Sequence, residues 1–172
     1  GKRAAALVEP GETVMIDTGT TALEVARHLP HDPSITVVTT SLGAAQELYR
    51  SGLTLFLLGG LLREEFPSVC GPMTEKMLAE IRVDTLFIGC DGAFSDDGFY
   101  SNDIHVSSLE QAMTRIASRV VVVTESAKFG RRAFSRYATV REVNLVVTDA
   151  GLPPRDRLNL EERGVSVILA DN

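Results

Sequence analysis

Residues 13–29 read TVMIDTGTTALEVARHL, and this stretch decides the fold class. Its first four residues, Thr13–Ile16, are apolar or β-branched and predict a short buried strand. Apolar residues then recur with helical spacing over Thr20–Leu29, which predicts a helix. A turn of small polar residues, Asp17-Thr18-Gly19, joins the two elements. Strand, short turn and helix in this order are typical of the first unit of a parallel α/β sheet.

The same alternation continues to the end of the chain. Six further β-branched or apolar runs predict buried strands: Ile35–Val38, Leu53–Leu58, Thr85–Ile88, Val120–Val123, Val143–Val147 and Val165–Leu169. Between most of them lie segments with helical spacing: Leu42–Arg50, Pro72–Ile81, Ser107–Ser118 and Arg155–Arg163. The sequence therefore predicts an α/β fold, with a doubly wound, mostly parallel sheet and helices on both faces.

Length and composition narrow the class of protein. The 172 residues carry a net charge of −6, which is unlike a basic nucleic-acid-binding protein, and residues 1–172 are expected to form one domain. No apolar run approaches the roughly 20 residues of a membrane span, and no signal peptide is recognisable. Two cysteines cannot make a disulfide framework, so we expect a cytoplasmic protein. Because the chain starts at Gly1 rather than Met, it is expected to be a fragment of a longer protein or a processed product.

Positive charge is concentrated in one segment. Residues 115–141 hold seven basic side chains and one acidic side chain, a net charge of +6. One interpretation is a solvated helix and loop surface. The other is that part of this segment attracts an anion to the edge of the sheet.

The turn after the first strand is the strongest candidate for an anion site. A turn between a buried strand and a helix leaves backbone N–H groups free, and the helix dipole favours negative charge there. Gly19 allows close approach of a ligand, while Thr18, Thr20 and Thr21 add hydroxyl donors. A simple N-cap needs fewer of these residues, so we favour a phosphate site, although neither standard phosphate-loop motif is present.

Residues after the other strands could complete this site. Asp17 and Asp91 could accept hydrogen bonds from the hydroxyl groups of a ligand or could brace their own turns. Lys128 follows the fifth predicted strand, where it could be a counter-charge for a phosphate or a carboxylate or simply a solvated surface residue. Two candidates are weaker. Thr40 and Ser41 form a hydroxyl pair that could also cap a helix, and Gly60 and Arg63 could form a second anion contact.

Two other kinds of site are not expected. His28, His31 and His105 do not combine with Cys70 and Cys90 into a zinc-binding spacing, so no metal site is predicted. No Gly-x-Ser-x-Gly elbow occurs, and no catalytic residue or cofactor is predicted.

Eight short motifs occur in an order that resembles the C-terminal sensor domain of DeoR-family transcriptional regulators. The resemblance extends from Lys2 to about Asp149. The motifs are Asp17–Thr21, Val38–Ser41, Leu58–Arg63, Asp84–Gly89, Asp91-Gly92, Gly98-Phe99, Lys128–Gly130 and Val147–Asp149.

The resemblance implies a fold related to ribose-phosphate isomerase, glucosamine-phosphate deaminase and CoA-transferase. It also implies a phosphorylated sugar or related metabolite as effector, a homo-oligomer, and DNA binding only through an N-terminal winged helix-turn-helix that this chain lacks. Thr18, Gly19, Thr20 and Thr21 match the family's phosphate-binding turn. The positions that match the surroundings of the sugar are Asp17, Thr40, Ser41, Gly60, Arg63, Asp91 and Lys128.

This chain departs from the family pattern at three places. Thr40 replaces a more usual Asn, and residues 125–127 are Glu-Ser-Ala where Asp-Ser-Ser commonly precedes the lysine. Glu110-Gln111 occupies positions that are often Lys-Arg. These departures concern the identity and the charge of the effector.

Three functions follow as hypotheses. The first is a sensor whose ligand changes the DNA binding of an attached domain. The second is a sugar-phosphate isomerase with Asp91 as the general base and Lys128 steadying an enediolate. Residues 93–98 lack the glycine cluster and the lysine of the related enzymes, and this difference disfavours the isomerase hypothesis. The third is a dimerisation domain with a vestigial pocket.

Overall fold

The seven predicted strands form one sheet in the computed structural model, which describes residues 1–64 and 66–170. The strands are β1 (Thr13–Ile16), β2 (Thr36–Thr39), β3 (Thr54–Leu57), β4 (Leu61–Arg63), β5 (Ser68–Cys70), β6 (Val83–Ile88), β7 (Gly92–Phe94), β8 (Gly98–Ser101), β9 (Ala117–Val123), β10 (Ser135–Thr139), β11 (Leu145–Asp149) and β12 (Ser166–Ala170). The helices are α1 (Lys2–Ala5), α2 (Thr20–Arg27), α3 (Leu42–Leu48), α4 (Pro72–Ala79), α5 (Ile104–Ile116) and α6 (Pro154–Glu162).

The large sheet is parallel throughout and has the strand order β12-β11-β9-β6-β1-β2-β3. The chain runs from β1 outward to β3 and then returns to place β6 on the other side of β1. The direction of winding therefore reverses between β1 and β6. In open α/β sheets, the crevice at the carboxyl ends of such strands is the usual place for a ligand.

Alternate residues of the central strands face two separate cores. Val14 and Ile16 belong to one core with apolar residues of α1, α2 and α3. Met15 and Leu86 belong to the other, with residues of α4, α5 and α6. A strand buried on both faces reads as a continuous apolar run, which is why β1 has no polar alternation. The predicted fold class, with helices on both faces, is confirmed.

The sequence patterns missed α1 and the short antiparallel strands. Strands β10, β8 and β7 form a three-stranded sheet, and β4 and β5 form a hairpin. These strands have three to five residues, too few to show a clear period of two. Helix α5 also begins before the predicted Ser107, because the carboxylate of Asp103 caps it by accepting a hydrogen bond from His105 N at 2.8 Å.

Within residues 1–64 and 66–170, no helix combines the length and the apolar character that crossing a bilayer requires.

Candidate functional site

The loops that follow β1 and β6 lie side by side at the carboxyl edge of the sheet. The backbone N–H of Asp17, the first residue after β1, donates to the carbonyl of Phe87 in β6 at 3.0 Å. Gly89, Cys90 and Asp91 follow β6 directly. The switch point of the sheet thus brings Asp17 and Asp91, which are far apart in sequence, into one site.

A cavity of about 800 Å³ opens at this edge. Its walls come from the loops after β1, β6 and β9, from β4, and from the first half of α5. The predicted site residues among its lining are Asp17, Thr18, Gly19, Thr20, Thr21, Arg63, Asp91 and Lys128. The volume suits a small metabolite, which typically occupies about 300–1,000 Å³.

The turn before α2 has the backbone geometry of an anion site. Gly19, the N-cap of α2, has φ 152° and ψ 160°, a conformation that side-chain-bearing residues rarely adopt. No side chain caps this helix start among the described residues, and the first intrahelical bond runs from Leu23 N to Gly19 O. The N–H groups of Thr20, Thr21 and Ala22 precede that bond, and all three residues line the cavity. The geometry therefore does not favour the interpretation that Thr18 or Thr20 caps α2.

Lys128 reaches the same cavity from the opposite side of the switch point. It ends a 3-10 turn, Ser126–Lys128, that follows β9, and its N–H donates to Glu125 O at 3.0 Å. The turn is held by Asp149, whose carboxylate accepts bonds from Ser126 N at 2.7 Å and from Ser126 Oγ at 2.6 Å. Lys128 is half-buried, so its charge is only partly screened by water.

Three carboxyl groups also line the cavity. Asp17 and Glu110 are buried, while Asp91 is half-buried and accepts a bond from Asn102 N at 2.8 Å. Burial, and to a smaller degree the charge of Asp91, raises the pKa of Asp17 to about 7. Burial and the charges of Asp17 and Asp91 hold the pKa of Glu110 well above its usual range. Ionising Asp17 and Glu110 together is therefore costly.

Arg63 and Asp103 form an ion pair at the mouth of the cavity. The Arg63 Nη2 to Asp103 Oδ2 distance is 2.8 Å, and the pair joins β4 to the N-cap of α5. Both residues line the cavity. Arg63 is thus close enough to meet a ligand, but its charge is already partly balanced.

Cys90 and Tyr137 serve the loop after β6 structurally. Burial raises the pKa of the Cys90 thiol to about 12, and the thiol donates to Thr124 Oγ1 at 3.3 Å. A thiol with so high a pKa is a poor nucleophile near neutral pH. Tyr137 Oη donates to the Gly89 carbonyl at 2.6 Å and anchors the loop that carries Asp91.

Three predicted residues do not line the cavity. Thr40 is buried, with its Oγ1 at 3.4 Å from Thr18 Oγ1, so it contacts the turn before α2 without lining the cavity. Ser41 caps α3 by accepting a bond from Ala44 N at 3.1 Å. A Cβ at Gly60 would lie 2.1 Å from Thr74 Oγ1, so this glycine permits a close backbone approach to α4. Contact of these three with a sugar stays a prediction.

No group of three or more His, Cys, Asp or Glu side chains within residues 1–64 and 66–170 has a geometry that could hold a metal ion.

A family model described as the DeoR C terminal sensor domain matches residues 1–150 of this chain. The chain belongs to this family. The sensor domain is 33% identical over 166 residues to the HTH-type transcriptional regulator GlpR of Haloferax volcanii, covering 96% of this chain and 65% of the relative. It is 31% identical over 169 residues to a putative aga operon transcriptional repressor of Escherichia coli O157:H7, covering 98% and 63%. The chain thus spans slightly less than two thirds of each of these relatives.

Solved structures share the fold of the sensor domain at low identity. Ribose 5-phosphate isomerase A from Methanocaldococcus jannaschii is similar with a TM-score of 0.51 and 20% identity, over 74% of this chain and 51% of that one. The translation initiation factor eIF-2B of Pyrococcus horikoshii OT3 is similar with a TM-score of 0.56 and 19% identity, over 88% and 62%. An enzyme and a translation factor on one fold mean that function must be argued from the site.

Sequence reasoning did not include Asp103 in the site of the sensor domain, and it noted Glu110 only as a departure from the family pattern. Glu110 carries a usable signal, since it lies four residues after Val106 and three before Met113, on the inward face of α5. An acidic residue on an inward helix face needs a partner or a function. No comparable signal marks Asp103, because its ion pair with Arg63 joins residues 40 positions apart.

Proposed function

We propose that this domain binds a phosphorylated sugar in the cavity at the β1/β6 switch point and thereby controls DNA binding by a separate domain of the same regulator. The observation that carries the proposal is that two unlike sets of groups line one cavity. The first set is the N–H groups at the start of α2 and the ammonium group of Lys128, which suit a phosphate. The second set is carboxyl groups that suit sugar hydroxyls.

The relatives support regulation more than catalysis. Two of them are named as a transcriptional regulator and a transcriptional repressor, whereas the isomerase likeness rests on fold alone. DNA binding would then belong to the part of the relatives that this chain does not cover, since this domain has a net charge of −6. A cytoplasmic location, and one sensor domain over residues 1–172, are parts of the same proposal. The two free cysteines agree with a reducing compartment.

A panel of triose, pentose and hexose phosphates, tested by thermal shift, examines the proposal. At 100 times its Kd, a ligand is expected to stabilise the domain by about 2.7 kcal/mol. For a domain of this size we expect the melting temperature to rise by about 5–10 °C. The unphosphorylated sugars are the controls and should have little effect. No rise with any phosphate would contradict the proposal, and interconversion of aldose and ketose phosphates by the pure domain would favour the isomerase.

We further propose that the domain forms a homo-oligomer through an apolar edge patch. Strand β3 is at one end of the large sheet, so one of its edges has no neighbouring strand among the described residues. It reads Thr-Leu-Phe-Leu, without the Lys or Pro residues that usually protect an edge. The patch consists of Phe56, Leu57, Leu61, Leu62, Met73 and Met77, all exposed.

A second copy is the partner that suits this patch. Two β3 strands related by a two-fold axis could pair antiparallel and continue the sheet, which would satisfy the free backbone groups of both copies. The side chains of β4 and α4 would then extend the contact beside the paired strands. A stable interface needs about 800 Å² on each partner, and the patch would supply its apolar centre.

Replacing Leu57 with Glu should therefore lower the oligomeric state, because a buried charge without a partner opposes association. Sedimentation velocity measures the change. The matched control is Leu158→Glu on α6, where an exposed leucine lies outside the patch. Equal sedimentation coefficients for Leu57→Glu and the unmodified oligomer would exclude this surface as the interface, and a wild-type monomer at micromolar concentration would contradict the oligomer itself.

A further inference from the structure

Acidic side chains outnumber basic ones in the described lining of the cavity. Arg63 is paired with Asp103, and Lys128 is the other basic side chain of the described lining. The lining also has four further acidic residues: Asp17, Asp91, Glu110 and Glu125. The pKa values of Asp17 and Glu110 are raised, so the negative charge of these two groups develops fully only when a cation binds beside them. A phosphate bound near Lys128 would add further negative charge. A sugar whose remaining groups are all neutral would leave this imbalance in place.

Two carboxyl oxygens in the cavity have no hydrogen-bond partner among the described residues. They are Oδ2 of Asp17 and Oε2 of Glu110. Asp17 is only 3% exposed and Glu110 only 5%, so bulk water does not readily compensate for the missing partners. Buried polar atoms without partners are rare in native structures and call for an explanation. A ligand group that donates hydrogen bonds would supply the missing partners.

We propose that the effector is a phosphorylated amino sugar, whose ammonium group binds among the carboxyl groups of Asp17, Asp91 and Glu110 while its phosphate binds the start of α2 and Lys128. An ammonium group has three donors and no acceptor, which matches a set of acceptors from three different elements. It also offsets the charge that a phosphate brings. This inference rests on the proposed sugar-phosphate site and adds the class of sugar.

Proton release on binding follows from the same geometry. Burial, and to a smaller degree the negative charge of neighbouring carboxyl groups, keeps the pKa of Asp17 and of Glu110 raised. A bound ammonium group lowers both values, so a carboxyl group that was protonated loses its proton on binding. A sugar phosphate without an ammonium group has no such effect and should release fewer protons.

Isothermal titration calorimetry at pH 6.5 with four hexose phosphates tests the proposal. Glucosamine 6-phosphate and galactosamine 6-phosphate carry the ammonium group, while glucose 6-phosphate and N-acetylglucosamine 6-phosphate do not. We expect at least one amino sugar phosphate to bind at least tenfold more tightly than both ligands that lack the ammonium group. Repeating the titrations in two buffers of different ionisation enthalpy should show proton release with the amino sugar.

Two variants separate charge from structure. Glu110→Gln keeps the shape of the side chain but removes its charge, and it should reduce the preference for the amino sugar to about threefold or less. Glu80→Gln, at an exposed position after α4, should leave the preference unchanged. If a hexose phosphate without an ammonium group binds the wild-type domain as tightly as the amino sugar phosphates or more tightly, the amino-sugar proposal is overturned. The proposed phosphate site is then unaffected. Binding of none of the four would also overturn it, and the wider panel above then decides on the sugar-phosphate site.

Discussion

Replacing both Lys128 and Thr20 with alanine is expected to abolish the thermal stabilisation that a sugar phosphate confers. Hydrogen bonds to charged groups are worth about 1.5–3 kcal/mol, and a hydroxyl contributes about 1 kcal/mol. Losing both costs about 3 kcal/mol, or a factor of about one hundred in Kd. A ligand present at 100 times the wild-type Kd would then be near the Kd of the variant. It would stabilise the variant by only about 0.4 kcal/mol.

The matched control is Lys76→Ala, because Lys76 is an exposed lysine on α4 and does not line the cavity. This variant should keep the full ligand-induced shift. Both variants are expected to melt close to the wild-type temperature without ligand, since surface substitutions usually change stability by less than about 0.5 kcal/mol. A full shift in the double variant would place the phosphate elsewhere.

The largest loss of stability is expected from Leu86→Ala. Leu86 has no exposed surface, and it belongs to β6, the fourth of the seven strands in the large sheet. Truncating a buried leucine typically costs about 2–5 kcal/mol, because the cavity that it leaves is only partly filled. We therefore expect the melting temperature to fall by about 10 °C.

Leu158→Ala is the matched control for this prediction, because Leu158 on α6 is 55% exposed. Urea unfolding should give a midpoint for this variant close to that of the wild type, and a clearly lower one for Leu86→Ala. Similar midpoints for the two variants would mean that the contacts of β6 add little to the free energy of unfolding.

The large sheet was predictable because strands buried on both faces show as uninterrupted apolar runs. Thr13–Ile16 and Thr85–Ile88 are such runs, and their structural counterparts β1 and β6 differ from them by two residues at most. The turn between β1 and α2 was also predictable, since small polar residues there separate an apolar run from a helical one. Its binding of a phosphate stays a prediction. The small sheets were not, because β7 and β8 are held by pairing with each other and with β10 rather than by a local pattern.

The grouping of carboxyl side chains in the cavity depends on tertiary contacts that no local pattern encodes. Asp17 and Asp91 could be placed after their strands, but the order of the strands that makes them neighbours could not be derived from spacing. Glu110 comes from a helix on one face of the sheet and meets them only in the folded protein. The role of Tyr137 as an anchor for Gly89 likewise joins residues 48 positions apart.

Arg63 belongs to two parts of the molecule at once. Its guanidinium group lines the cavity and holds Asp103, while its strand β4 also carries Leu61 and Leu62 of the apolar edge patch. A ligand that draws Arg63 away from Asp103 would change the position of that strand, and therefore the fit between two copies. Thermodynamic linkage then requires the reverse effect with the same coupling free energy. The apparent affinity for the effector should therefore depend on the concentration of the protein itself.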